Sequence, residues 1–178
     1  GIFPDNEIQI MAYNRLVKDL NQHTQAKFIE KLKACFWVEK TDNPVPSACG
    51  EWTMYLDGQW YLLQARQEIL SDDVVSSLDV SILQDHVLDG ILGIENPRTD
   101  KRIQFVGGIR GDVFLSKAVD SGQAAVAFHL YPTGIDQLLA VADANRLMPP
   151  KSTWFEPKLR GGVLVHQLEG LTGKLAEP

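Results

Sequence analysis

Apolar positions alternate with period two at Trp52, Met54 and Leu56, between Glu51, Thr53 and Tyr55, and a second apolar run, residues 60–64, follows Asp57-Gly58. Asp-Gly supplies the two left-handed positions of a tight turn, so this stretch predicts a β-hairpin. A two-stranded ribbon is marginal alone and must lie on further strands. Upstream, Ile8 and Ile10 alternate and predict a strand over residues 7–16 that ends in the polar corner Tyr13-Asn14-Arg15. Thr24 is a candidate N-cap for a helix whose apolar stripe, Phe28, Ile29 and Leu32, runs to Cys35. Phe36-Trp37-Val38 reads as a short strand, and residues 41–50, with Pro44 and Pro46, as a loop.

In the second part of the chain, Leu78, Ile82, Leu83, Val87, Leu88 and Ile91 recur at helical steps, and Gly93 stands where a left-handed C-cap belongs. A helix over residues 79–92 is the expectation. A strand over 101–106, a glycine turn over 107–111, a helix over 112–120 and an apolar strand over 123–131 follow, then a helix over 135–142 and strands over 151–155 and 163–168. Helices and strands interleave while the hairpin requires antiparallel pairing. The expected fold class is therefore α+β, with a mixed, partly antiparallel sheet and packed helices. Residues 68–77 are acidic and polar, and suggest a linker between subdomains 1–67 and 78–178.

Composition changes this picture little: 178 residues with 44% apolar and 22% charged side chains are globular material. No apolar run nears the roughly 18 residues that span a bilayer, and no secretory signal is recognisable, which points to a soluble, cytoplasmic protein. The chain opens Gly1-Ile2-Phe3-Pro4-Asp5 without a Met, as one entered midway would, although a leading Gly is also what a tag leaves. Cys35 and Cys49 form no C-x-x-C pair and read as reduced and structural. The four histidines, His23, His86, His129 and His166, are widely spaced, so no metal site is expected and His86 reads as a buried or rim histidine.

Charge is more informative. The net charge of −6 disfavours a nucleic-acid binder, yet two segments are basic. Arg98, Lys101, Arg102 and Arg110 outweigh Asp100 in residues 98–110, and Arg146, Lys151, Lys158 and Arg160 outweigh Glu156 in residues 146–160. Positive charge concentrated in two loop-rich segments suggests capture of a small anion. In the first segment, Phe105-Val106-Gly107-Gly108-Ile109-Arg110-Gly111-Asp112 joins a strand to a helix through glycines, an arrangement that can hold a phosphate on backbone N–H groups with Arg110 as the charged arm. A glycine turn capped by Asp112 explains the same residues. Arg98 and Arg102 carry forks suited to phosphate, and Asp100 between them could orient one or bind Mg²⁺ through water; a solvated charged loop is the alternative. In the second segment, Met148-Pro149-Pro150-Lys151-Ser152-Thr153-Trp154-Phe155-Glu156-Pro157-Lys158 is a proline-bounded loop whose Lys, hydroxyls and carboxylate could position a phosphorylated substrate. Its Trp154 and Phe155 read as core residues of an edge strand. Lys18-Asp19 with Tyr13-Asn14-Arg15 reads as a surface turn.

Tyr13-Asn14-Arg15, Leu78-Asp79-Val80, residues 98–102, Phe105-Val106-Gly107-Gly108, Ala125-Val126-Ala127-Phe128, Tyr131-Pro132-Thr133 and residues 148–155 with Pro157-Lys158-Leu159 resemble, along nearly the whole chain, the C-terminal half of the domain-of-unknown-function family 1015. Full-length members of that family are about twice this length, and their N-terminal half carries an Asp-Gly-His-His-Arg segment similar to ParB and sulfiredoxin-like nucleotide-binding proteins. The same fold contains free-serine kinases. The resemblance implies that this chain is the C-terminal region of a larger protein, partnered by its own N-terminal half, and that ATP and Mg²⁺ are the cofactors of an ATP-dependent small-molecule kinase. Arg15, Arg98, Arg102, Gly107, Gly108, Arg110, Lys151, Ser152, Thr153 and Lys158 would then form a half-site for an anionic metabolite or nucleotide, with Asp100 or Glu156 as the candidate catalytic carboxylate. The isolated chain is expected to lack activity by itself. The competing reading is a non-catalytic metabolite-binding or regulatory module, with the apolar hairpin 52–60 as an interface and a homodimer as one arrangement.

Overall fold

The computed structural model describes residues 7–158. The strand expected over 163–168, together with Arg160 and His166, lies outside those residues. The elements run β1 (Gln9–Met11), β2 (Tyr13–Val17), α1 (Gln25–Cys35), β3 (Phe36–Thr41), β4 (Glu51–Leu56), β5 (Gln59–Ala65), α2 (Asp79–Leu83), β6 (Ile103–Gly107), α3 (Gly111–Asp120), β7 (Val126–Leu130), α4 (Ile135–Asp143) and β8 (Trp154–Glu156). The fold is α+β. Six strands form one sheet in the order β3-β5-β4-β7-β2-β6 with antiparallel pairing throughout, and β1 pairs separately with β8. Strands from before and after residues 68–77 therefore share one sheet.

The hairpin forms as its sequence requires: Leu56 faces Gln59 across the turn, and Asp57 and Gly58 take φ of 48° and 77°. β4 is not an edge. It lies between β5 and β7, so its apolar side, Trp52, Met54 and Leu56, is buried on one face, and Thr53 and Tyr55 on the other. This removes the expected hairpin interface, because Trp52 is wholly buried edge-on to Phe36 at 5.4 Å. Burying side chains of this size stabilises the fold by about 2–3 kcal/mol each.

Helices cover both faces of the sheet. Phe28 and Leu32 of α1, the apolar stripe that begins at Leu78 and Val141 of α4 join Trp52, Met54, Phe128 and Leu130 in the larger core. Leu115 and Ala118 of α3 pack on Leu16, Tyr55, Val106 and Ala127 in the smaller one. Thr24 caps α1 by accepting a hydrogen bond from Lys27 N–H. The expected helix over 79–92 begins as α2 and continues as a π-helical turn, Gln84–Asp89, with Leu92 N–H reaching back to Val87 O. The strand expected over 7–16 breaks at Ala12, whose carbonyl accepts Gly108 N–H at 2.8 Å. That corner sends β1 away to pair with β8 while β2 enters the sheet.

Candidate functional site

β2 and β6 pair so that Tyr13 stands opposite Gly107 and Arg15 opposite Phe105. With period two, Tyr13, Arg15, Phe105 and the bare backbone of Gly107 share one face. The chain returning through 151–156 lays Trp154 on Gly107, where an added Cβ would come within 2.6 Å of three ring atoms. Tyr13 meets Trp154 edge-on at 5.2 Å and Phe105 edge-on at 6.3 Å between ring centroids. Three cations lie over these three rings: Arg15 Cζ is 4.6 Å from the Phe105 centroid, Lys151 Nζ 5.3 Å from Tyr13, and Lys158 Nζ 3.7 Å from Trp154. Such pairings are worth about 0.5–2 kcal/mol each, rising as water is excluded.

Arg15 is the anchor. It is 3% exposed, donates to the carbonyl oxygens of Tyr13 and of Lys151, the latter at 3.0 Å, and pairs with no carboxylate among the described residues. Burial pushes its pKa down to about 9, so the guanidinium is still charged at neutral pH. A buried cation held only by carbonyls and a ring keeps much of its field uncompensated. Lys151 has φ of 60°, a conformation that costs a side-chain-bearing residue about 1 kcal/mol. It turns the Lys151 carbonyl toward Arg15 while the ammonium stays exposed over Tyr13. Ser152 is buried and serves this turn: its hydroxyl donates to Pro149 O at 2.6 Å, and its own carbonyl accepts Thr133 Oγ1 at 3.2 Å. Glu156 Oε1 accepts the Trp154 indole N–H at 2.6 Å and fixes the ring. Thr153 is half-buried between these residues.

The other expected residues do not join this group. Arg102 donates to both oxygens of Asp100 and to the carbonyls of Leu92 and Gly93, the last two at 2.9 Å each. It ties the end of the π-helical segment to the following turn, and its hydrogen bonds hold the Asp100 carboxyl below its ordinary range. Arg102 and Asp100 are thus engaged in structure and not held toward a ligand. Arg98 is exposed on the same turn. Arg110 lies over Phe114 at 4.8 Å from α3. The glycine turn is not an anion cradle: Gly107 admits Trp154, and Gly108 N–H is consumed by Ala12 O, to which an added Cβ would approach within 2.8 Å. Trp154 and Phe155 lie on the β1–β8 ribbon, with Trp154 half-buried and Phe155 36% exposed, and not in the core. His86 is a rim residue.

Tyr13 and Phe105 belong to the site, although Tyr13 reads from sequence as part of a surface turn and Phe105 as an ordinary strand residue. The register of β2 on β6 puts them together, and only the alternation of Tyr13, Arg15 and Val17 hinted at a common face. Cavities of about 490 and 640 Å³ open beside the β1–β8 ribbon, the first lined by Ile8, Ile10, Tyr131, Ile135 and Phe155, the second by Met11, Ile109 and Glu156 among others. The cation–ring cluster is a surface next to that ribbon and lines neither of them.

A family match covers residues 1–81. Its description is "Protein of unknown function (DUF1015)". The match takes in Tyr13-Asn14-Arg15 and Leu78-Asp79-Val80 in the N-terminal part of the chain, and stops before the motifs at 98–108 and 148–155, so the expected match along nearly the whole chain is reduced to this part. No curated protein matches the sequence. Among solved structures, a variant of a free serine kinase in complex with AMP aligns over 85% of this chain and 55% of its own, with a TM-score of 0.51 and 13% identity. A conserved hypothetical protein from Pyrococcus furiosus aligns over 85% of this chain and 57% of its own, with a TM-score of 0.51 and 16% identity. At these identities the likeness is one of fold. The chain spans little more than half the length of either structure. No helix among the described residues is long and apolar enough to cross a membrane.

Proposed function

We propose that the face formed by Tyr13, Arg15, Phe105, Lys151, Trp154 and Lys158 binds a phosphate-bearing metabolite or nucleotide. The observation that carries this reading is three cations stacked on three adjoining rings, none paired with a carboxylate among the described residues. Stacking orders the cations in advance and leaves the exposed ammonium groups of Lys151 and Lys158 to donate to phosphate oxygens. Arg15 contributes field from below, and Trp154, packed on Gly107, holds the Lys158 ammonium in place.

The larger reading places this face as a half-site in an ATP-dependent small-molecule kinase, with the other half in sequence outside this chain. Support comes from the fold shared with a structure described as a free serine kinase bound to AMP, and from the chain covering 55% of it. The described residues do not fit a catalytic metal centre: Asp100 is held by Arg102, Glu156 by Trp154, and no three His, Cys, Asp or Glu side chains gather. The metal-binding carboxylates and the base that phosphoryl transfer requires are assigned to the other half.

Thermal denaturation with inorganic phosphate, AMP and ADP tests the ligand class. A concentration-dependent rise in Tm that Lys151→Ala diminishes supports it, whereas equal response of both proteins, or none, rejects it. Phosphoryl transfer from ATP to a panel of hydroxy amino acids by the full-length parent tests the kinase reading separately.

A further inference from the structure

We infer that the outer edge of β3 is a self-pairing surface, on which a second copy of this chain lays its own β3 antiparallel and joins two six-stranded sheets into one. β3 is the outermost strand of the order β3-β5-β4-β7-β2-β6, at the far side of the sheet from β2 and β6, so this surface is separate from the proposed phosphate face. Its pairing with β5 runs without a bulge from Phe36 to Thr41. Arg66 N–H donates to Cys35 O at 3.0 Å in the same register. Cys35, Trp37, Glu39 and Thr41 therefore turn their peptide groups inward to β5, and Phe36, Val38 and Lys40 turn theirs outward. Phe36 N–H is taken by Leu32 O at the end of α1. The peptide groups of Val38 and Lys40 meet no partner among the described residues. An open edge without proline or bulge is a template for another strand.

Charge selects that strand. On the face that carries Trp37, Arg66 stacks on the indole with Cζ 3.7 Å from the ring centroid and donates through Nε to Lys33 O at 3.1 Å. Trp37 is 57% exposed, and neither Arg66 nor Glu39 has an ion-pair partner among the described residues. Outward peptide groups can meet only outward ones, so a two-fold pairing of β3 with itself must centre on a residue. Centred on Val38, the N–H groups of Val38 and Lys40 donate to Val38 O and Phe36 O of the other copy. Trp37 then stands opposite Glu39 of the second copy, in the closer kind of antiparallel pair. Glu39 arrives beside the guanidinium held on that indole, and the symmetry repeats the contact. Centring on Glu39 or on Lys40 sets like charges face to face, and centring on Trp37 runs into the end of α1 at Cys35. An unrelated acidic strand would satisfy Arg66 and leave Glu39 unpaired, whereas a second copy satisfies both.

Sedimentation equilibrium of the 178-residue chain over a concentration series tests the surface. The expected result is a monomer–dimer equilibrium. Val38→Pro removes an outward N–H and leaves the pairing with β5 intact, so the variant should keep its circular dichroism and be monomeric. Glu39→Arg and Arg66→Glu each turn attraction into repulsion and should weaken the dimer about ten-fold, while the combined Glu39→Arg/Arg66→Glu should return to within about three-fold of the wild type. A chain that stays monomeric to about 1 mM, a dimer that survives Val38→Pro, or a combined variant no tighter than the single ones would each overturn the proposal.

Discussion

Replacing Asp79 by Asn should make the protein more stable at neutral pH and change how its stability depends on pH. Asp79 begins α2, is 7% exposed, and accepts Gly50 N–H at 2.9 Å and Cys49 Sγ at 3.4 Å through Oδ1, while its carbonyl accepts the Trp52 indole N–H at 3.3 Å. Burial raises its pKa from 3.8 to about 6, more than the hydrogen bonds from Gly50 and Cys49 lower it. In the unfolded chain the group titrates near its ordinary value, so between about pH 4 and pH 6 the folded state holds more protons than the unfolded one, and stability falls as pH rises. At about 1.4 kcal/mol per pH unit the loss reaches about 2–3 kcal/mol by pH 7. Asparagine keeps an oxygen for Gly50 N–H and removes the charge. Urea unfolding of both proteins between about pH 4 and pH 7.5 should show Asp79→Asn gaining on the wild type up to about pH 6 and then holding that gain of about 2–3 kcal/mol. A constant difference across that range would refute the assignment of buried charge to Asp79.

Gly107→Ala should cost about 1–3 kcal/mol, because the new methyl group displaces Trp154, and should weaken phosphate or AMP binding in the same protein, measured by chemical denaturation and ligand titration. Arg102→Ala should lower stability by about 1–2 kcal/mol through loss of its bonds to Asp100, Leu92 and Gly93, yet leave the affinity for phosphate within a factor of about two. Thr24→Ala should cost about 1 kcal/mol by removing the α1 cap, with no effect on phosphate binding.

Local rules made much of this fold legible. The Asp57-Gly58 turn, the Thr24 cap and the apolar stripe after Leu78 each specify their element through short-range chemistry, and each element is where the sequence puts it. Long-range pairing is less accessible. Nothing between Gln9 and Val17 shows that the strand breaks at Ala12, because the break depends on Gly108 donating to Ala12 O across the fold. The basic loops were visible as composition, but composition does not distinguish Arg102, consumed by carbonyls, from Lys151, left exposed over a ring. Arg15, grouped with a surface turn, became the buried anchor only through the register of β2 on β6. Gly107 and Gly108 fitted an anion-binding turn equally well by sequence; their contacts with Trp154 and Ala12 show that they serve close packing. The lone histidines carried no spacing signal, and His129 is held in the fold by its contact with Pro44 O.

The proposed phosphate capture rests on the exposed ammonium groups of Lys151 and Lys158 over Tyr13 and Trp154. Calorimetric titration of AMP into the wild-type chain and into Lys151→Ala/Lys158→Ala at low ionic strength isolates their contribution. Each charge-assisted contact is worth about 1.5–3 kcal/mol, so the double variant should bind at least about 100-fold more weakly, and wild-type affinity should fall as salt is added. Equal affinity in the two proteins, or binding indifferent to salt, would rule out phosphate capture by these two lysines.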